Sequence, residues 1–178
     1  MNSEDDFRRR AERLRWILCD VDGVLTDGRL WFGNGGEPLV AFDIKDGLAL
    51  KLAQRSGLQV GILSGRATEA VAQRARALAL DAVVVGREDK GPAFREWLAS
   101  TGTDAESVAY IGDDLIDLPV IKACGLSFAP SDAVSEVRER VDVVLEARGG
   151  HGAVREMIRR VLGVRGLWHP IVERLESS

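Results

Sequence analysis

The chain predicts an α/β fold in which one doubly wound parallel sheet is covered by helices on both faces. Three observations carry that expectation. Apolar, β-branched runs of strand length recur at residues 16–19, 58–63, 82–85, 108–111 and 141–145. Stretches with helical periodicity lie between most of them. Acidic and glycine residues crowd the positions directly after several of these runs, where open α/β sheets bind their ligands. Alternation of short, nearly continuous apolar strands with helices is the mark of a parallel sheet buried on both faces.

Composition sets the frame for the rest. The 178 residues fit one domain, and 46% hydrophobic with 29% charged residues is ordinary for a globular chain with a full core. A formal net charge of −4 gives no general attraction for nucleic acid or an anionic membrane, so neither is expected as a partner. A phosphorylated ligand would have to be met by local positive groups. No apolar run reaches the span of a bilayer or has the form of a signal peptide, which implies a cytoplasmic protein. Cys19 and Cys124 each sit in an apolar stretch without zinc or redox spacing, and read as reduced core residues.

Taken in order, residues 1–14 form a charged, Arg-rich N-terminal segment, 15–163 the main domain and 164–178 a charged tail that is either a short helix or loose. The first strand, 16–19, runs into Asp20-Val21-Asp22-Gly23-Val24-Leu25-Thr26-Asp27-Gly28. Two carboxylates two residues apart at a strand exit can aim at one site. If buried, they repel each other unless a metal or a shared proton intervenes. Alone, the segment reads equally as a solvated Asp/Gly turn.

Where a crossover helix is due next, residues 29–42 instead signal a β-hairpin, with extended stretches at 29–32 and 39–42 joined by a loop opening Gly33-Asn34-Gly35-Gly36. Leu30, Trp31, Phe32, Leu39, Val40 and Phe42 make both of its faces apolar, and a single domain can cover only one. A helix is expected over Leu48–Ser56, with Leu48, Ala49, Leu52 and Ala53 facing inward, Asp46 as N-cap and Gly57 beyond its end.

The strand at 58–63 ends on Ser64-Gly65-Arg66, a hydroxyl, backbone amides and a guanidinium suited to phosphate oxygens; a plain helix N-cap is the commoner use of such a serine. Helix 67–78 and strand 82–85 lead to Lys90, whose cation opens the next helix, 92–99. Strand 108–111 leads to Gly112-Asp113-Asp114-Leu115-Ile116-Asp117, followed by Pro119 in the first turn of a helix. One acid there is explained by capping; three are more than capping requires. The last strand, 141–145, precedes Gly149-Gly150-His151-Gly152-Ala153-Val154-Arg155-Glu156 and a helix at 153–162.

The order of these motifs resembles the haloacid dehalogenase superfamily over about residues 16–162: Asp-x-Asp, a Ser ending the next strand, a Lys, and an acidic Gly-Asp-Asp-x-x-Asp loop. The resemblance implies a Rossmann-like fold and a phosphomonoesterase. Only 26 positions separate Ser64 from Lys90, too few for an inserted domain of about 50 residues, so the chain is expected to be of the capless type. The first-motif run, the hairpin leading into Lys45-Asp46-Gly47, the fourth motif and the Gly149–Glu156 run narrow the resemblance further. They are similar to phosphatases of an eight-carbon sugar-acid 8-phosphate in lipopolysaccharide precursor synthesis, whose relatives act on nine-carbon 9-phosphates.

What this resemblance implies for the site is specific. Asp20 is the nucleophile that forms an aspartyl-phosphate, and Asp22 the general acid and base. Mg²⁺ is held by Asp20, the backbone carbonyl of Asp22, and Asp113. Ser64, Gly65 and Lys90 hold the phosphate, Arg66 and Arg155 the substrate carboxylate, and Asp114 and Asp117 orient the metal's waters and Lys90. A homotetramer is implied, its hairpins associating and neighbours bordering each pocket. The alternative from another class is a non-catalytic tetramerisation module, against which the complete set of motifs argues.

Overall fold

The computed structural model describes residues 3–32, 34–35 and 38–177, so Gly33 and Gly36 of the expected hairpin loop lie outside the described residues. Six parallel strands form one sheet: β1 (Trp16–Cys19), β4 (Gln59–Leu63), β5 (Ala82–Val84), β6 (Val108–Ile111), β7 (Leu126–Ala129) and β8 (Val143–Val144). Their order is β5-β4-β1-β6-β7-β8, while β2 (Trp31–Phe32) and β3 (Pro38–Leu39) pair as a separate hairpin, Trp31 opposite Leu39.

The period-2 alternation of each strand divides the core in two. Ile17, Cys19, Val60, Ile62, Ala109, Ile111 and Phe128 point to one face, under helices α1 (Ser3–Arg13), α2 (Ile44–Arg55), α3 (Glu69–Leu78) and α7 (Ala153–Val164). Trp16, Leu18, Leu63, Val108 and Tyr110 point to the other, under α4 (Lys90–Thr101), α5 (Leu118–Ala123) and α6 (Ser135–Arg138). The doubly wound arrangement thus follows from strands that are apolar at nearly every position and buried on both faces. Cys19 is buried and Cys124 half-buried, and both are free thiols.

Several elements differ from expectation, each for a local reason. Strand β7 has no counterpart in the sequence reading because Ser127 interrupts its apolar run. The structure buries that serine and satisfies it through Asp142, whose Oδ2 accepts from Ser127 N and Oγ at 2.8 Å. Helix α1 is hidden by its charge, yet Phe7, Ala11 and Leu14 recur at helical spacing and pack on the core. Arg10 ties this helix to the sheet, donating to the Gly125 carbonyl at 2.7 Å and pairing with Asp142 at 2.7 Å.

Helix α2 starts earlier than expected. Its N-cap is Asp43, whose side chain accepts from Lys45 N, whereas Asp46 lies inside the helix and is buried; Leu48 faces outward. Residues 40–42 leave the hairpin, whose strands are shorter than expected, because Phe42 turns toward the core with the Arg74 guanidinium 5.5 Å from its ring centroid. The tail forms α8 (Trp168–Glu176), seated through Ile171 and Trp168.

Candidate active site

The sheet brings the acidic loops together. Strands β1 and β6 are neighbours although the chain continues from β1 toward β4 on the other side, so the point where the winding reverses lies between them. Asp20 N donates to the Ile111 carbonyl at 3.0 Å, extending the β1–β6 ladder by one residue. The turn that follows is tied down from within. The amides of Leu25 and Thr26 donate to the Val21 carbonyl at 2.9 and 3.0 Å, and the buried Thr26 Oγ1 accepts from Gly23 N and Gly28 N at 3.3 and 3.2 Å.

Lys90, at the first turn of α4 and only 1% exposed, joins the loops. Its Nζ lies 2.7 Å from Asp20 Oδ1 and 2.6 Å from Asp117 Oδ1. Asp117 is fully engaged: Oδ1 also accepts from the Tyr110 hydroxyl at 2.6 Å, and Oδ2 accepts from the amides of Asp113 and Asp114 at 2.9 and 3.1 Å. Asp113 is not, for its Oδ1 is buried without a hydrogen-bond partner.

Oxygens of Asp20, Asp113 and Asp117 lie within 4.8 Å of one another. Three carboxylates around one ammonium leave the group negative. Burial, together with repulsion from Asp117, pushes the Asp20 carboxyl up to about 6. Burial and the nearness of Asp20 and Asp117 push Asp113 up to about 8. Burial alone would lower Lys90, but the attraction of Asp20 and Asp117 outweighs it and the ammonium is held more tightly than usual. An orphaned carboxylate oxygen, hard oxygen donors and unbalanced negative charge fit a divalent cation such as Mg²⁺. Asp20 and Asp113 have oxygens to offer it, while those of Asp117 are already engaged.

The remaining predicted residues are placed as follows. Asp22 is partly exposed and lies 3.8 Å from Arg66 Nη1. Ser64 is buried, and its Oγ accepts from Arg66 N at 3.2 Å, leaving the hydroxyl proton free to donate; Thr68, not Ser64, caps α3. Gly65 follows it at the exit of β4. Asp114 is exposed and caps the turn at Leu115–Asp117. Arg155 is engaged elsewhere, its guanidinium 5.5 Å from the Trp168 ring centroid. Among the described residues none of its ion pairs or hydrogen bonds reaches the acidic group.

Two participants escaped the sequence reading. Tyr110 looks like any core strand residue, although a buried tyrosine needs a partner for its hydroxyl. The sequence offers Asp46 as a cap for its own helix, but its carboxylate accepts from Arg155 N at 2.7 Å and Gly152 N at 3.3 Å, capping α7 instead.

Burial pushes the Asp46 carboxyl up from 3.8 to about 6, against the opposing Arg155 amide. The native state therefore holds this proton more tightly than the unfolded chain, and the resulting stabilisation is complete below pH 4 and lost as pH rises through about 6. A displacement of that size corresponds to about 3 kcal/mol. Urea unfolding at pH 4 and pH 7 should show the wild type losing about that much more stability than Asp46→Asn across the interval; parallel profiles would contradict the shift.

Comparison with known proteins agrees with this geometry. A profile of haloacid dehalogenase-like hydrolases matches residues 82–157. The 3-deoxy-D-manno-octulosonate 8-phosphate phosphatase KdsC of Haemophilus influenzae is 40% identical over 160 residues, 90% of this chain and 89% of that protein. A crystal structure of the Yersinia pestis phosphatase of the same name superposes with a TM-score of 0.89 at 39% identity, covering 93% of this chain and 89% of the other. The same phosphatase from Moraxella catarrhalis, solved with magnesium, phosphate and a KDO molecule, gives 0.92 at 29% identity, covering 96% and 98%. The chain is a phosphatase and belongs to the haloacid dehalogenase-like hydrolases, in the family of the KdsC phosphatases.

Proposed function

We propose that this chain hydrolyses 3-deoxy-D-manno-octulosonate 8-phosphate to the free sugar acid and phosphate, with Mg²⁺ as cofactor and an aspartyl-phosphate on Asp20. The observation that carries the reading is a buried Asp20 paired with Lys90, beside an unsatisfied Asp113, in a chain 40% identical to the Haemophilus phosphatase. When bound by Asp20 and Asp113, the cation offsets the charge that would otherwise repel an anionic phosphate.

Asp20 attacks phosphorus as the bond to the sugar oxygen breaks, and Asp22 gives that oxygen a proton. Its partial exposure supports that task, since Asp22 is open to solvent while Asp20 stays buried. Water then attacks phosphorus, Asp22 takes its proton, and the Asp20 carboxylate is released with phosphate. Ser64, the Gly65 amide and Lys90 stabilise the oxygens that gain charge. Lys90 is held on station by Asp117, itself oriented by Tyr110 and two amides. Arg66, partly exposed beside Asp22, supplies the cation for the sugar carboxylate in this reading.

Phosphate release from the eight-carbon 8-phosphate, a nine-carbon 9-phosphate and an aryl phosphate, each with Mg²⁺ and with chelator, tests the reading. The 8-phosphate is expected to have the highest kcat/KM, and chelation to abolish activity reversibly. Equal rates on all three, or full activity in chelator, would contradict it.

The same reading includes a cytoplasmic homotetramer built on the hairpin. Trp31, Phe32 and Leu39 are 62%, 71% and 68% exposed, an apolar surface that suits a second copy. Among the described residues no helix is long and apolar enough to cross a membrane. By light scattering the wild type should be tetrameric, and a Trp31→Asp, Phe32→Asp variant should dissociate and lose kcat/KM. A monomeric wild type, or a dissociated variant of full activity, would refute the coupling of assembly to catalysis.

A further inference from the structure

Among the described residues no hydrogen bond or ion pair of the Gly149–Glu156 run reaches Asp20, Asp22, Ser64 or Lys90, yet the run is packed hard against the catalytic turn. A Cβ placed on Gly149 would lie 1.8 Å from the Gly23 carbonyl oxygen, and one on Gly150 would lie 2.4 Å from Asp27 N. Gly150 N donates to the Val24 carbonyl at 2.9 Å, and Gly149 N to Asp132 Oδ1 at 2.9 Å. On its opposite side Gly23 meets the acidic site. Its φ is +86°, and a Cβ there would lie 2.1 Å from Asp113 Oδ2. Gly23 is thus a single layer of backbone between Gly149 and Asp113, with no slack on either side.

This stack is anchored from behind by Asp46. Its buried carboxylate accepts from the Gly152 and Arg155 amides, fastening the start of α7, and with it the adjoining Gly149-Gly150 turn, to α2. Asp113 Oδ1 has no hydrogen bond, so packing against Gly23 is part of what sets the direction of this carboxylate.

We propose that Gly149 and Asp46 are positioning residues for Asp113: Asp46 holds the turn, Gly149 holds Gly23, and Gly23 aims the carboxylate at the metal. The proposal rests on the reading of Asp113 as a Mg²⁺ ligand. A methyl group at Gly149 must push Gly23 toward Asp113, whereas Asp46→Asn replaces one acceptor at the start of α7 with a donor that faces an amide. Groups that orient a ligand are worth about 10–100-fold in metal affinity.

Calorimetric titration of Mg²⁺ into the full chain tests this, with Gly163→Ala as control because a Cβ there meets nothing within 4 Å. Gly149→Ala is expected to bind Mg²⁺ about 10–100-fold more weakly, Asp46→Asn to lose less, and Gly163→Ala to match the wild type. The Mg²⁺ concentration for half-maximal phosphate release should move by the same factor, with kcat recovering at saturating metal. A folded Gly149→Ala of wild-type affinity overturns the proposal. If that variant does not fold, Asp46→Asn decides, and wild-type affinity there overturns it equally. A wild type that binds no Mg²⁺ overturns the metal reading itself, and the proposal with it.

Discussion

Asp20→Asn is expected to remove turnover by at least about 10⁴-fold while leaving the fold intact, the scale on which deletion of a covalent nucleophile acts. The amide keeps the shape of the carboxylate but cannot attack phosphorus. Its effect on stability should be small because two changes oppose each other. The variant loses an ion pair to Lys90 at 2.7 Å, and it also removes one of three mutually repelling carboxylates whose burial is resisted. Lys90 retains Asp117 at 2.6 Å. Melting temperatures without metal should therefore agree within a few degrees. Hydrolysis within about tenfold of the wild type would exclude Asp20 as the nucleophile, and a collapsed melt would show that the ion pair outweighs the repulsion.

The second large effect is expected at Lys90, the one buried cationic residue among those described. Lys90→Met fills much of the same volume but leaves Asp20 and Asp117 facing each other without a counter-charge. Removing one partner of a buried ion pair costs about 3–5 kcal/mol. Activity should fall with stability, since the phosphate loses its ammonium. The deficit has a direction in pH: Asp20, already pushed up to about 6, can take a proton at pH 4 and relieve the repulsion. Urea unfolding without metal should thus show a larger deficit at pH 7 than at pH 4. A deficit below about 1 kcal/mol at pH 7, or one that grows toward acid, would refute the account of Lys90 as the balancing charge.

Much of this was legible because the chemistry is local in sequence. Asp20, Ser64 and Asp113 each follow a strand whose apolar run announces it, and a parallel sheet gathers strand exits at one edge whatever the helices between them do. The hairpin was legible from its glycines and aromatics, although its strands stop early because Phe42 is drawn to the core. Strand β7 was not legible, because a serine in an apolar run weakens the pattern until Asp142, distant in sequence, satisfies it.

Periodicity and motif order thus determined, by themselves, the doubly wound sheet and the residues that face its carboxyl edge. Only the tertiary structure decided how those residues divide their work. That Asp117 is occupied by Lys90, Tyr110 and two amides while Asp113 Oδ1 is left bare depends on distances between loops that no spacing encodes. That Asp46 caps α7 rather than its own helix, and that Arg155 lies over Trp168, follow from packing between segments far apart in the chain. Hydrogen bonds and close contacts of this kind are choices among partners, and the partners are known only once the chain has closed on itself.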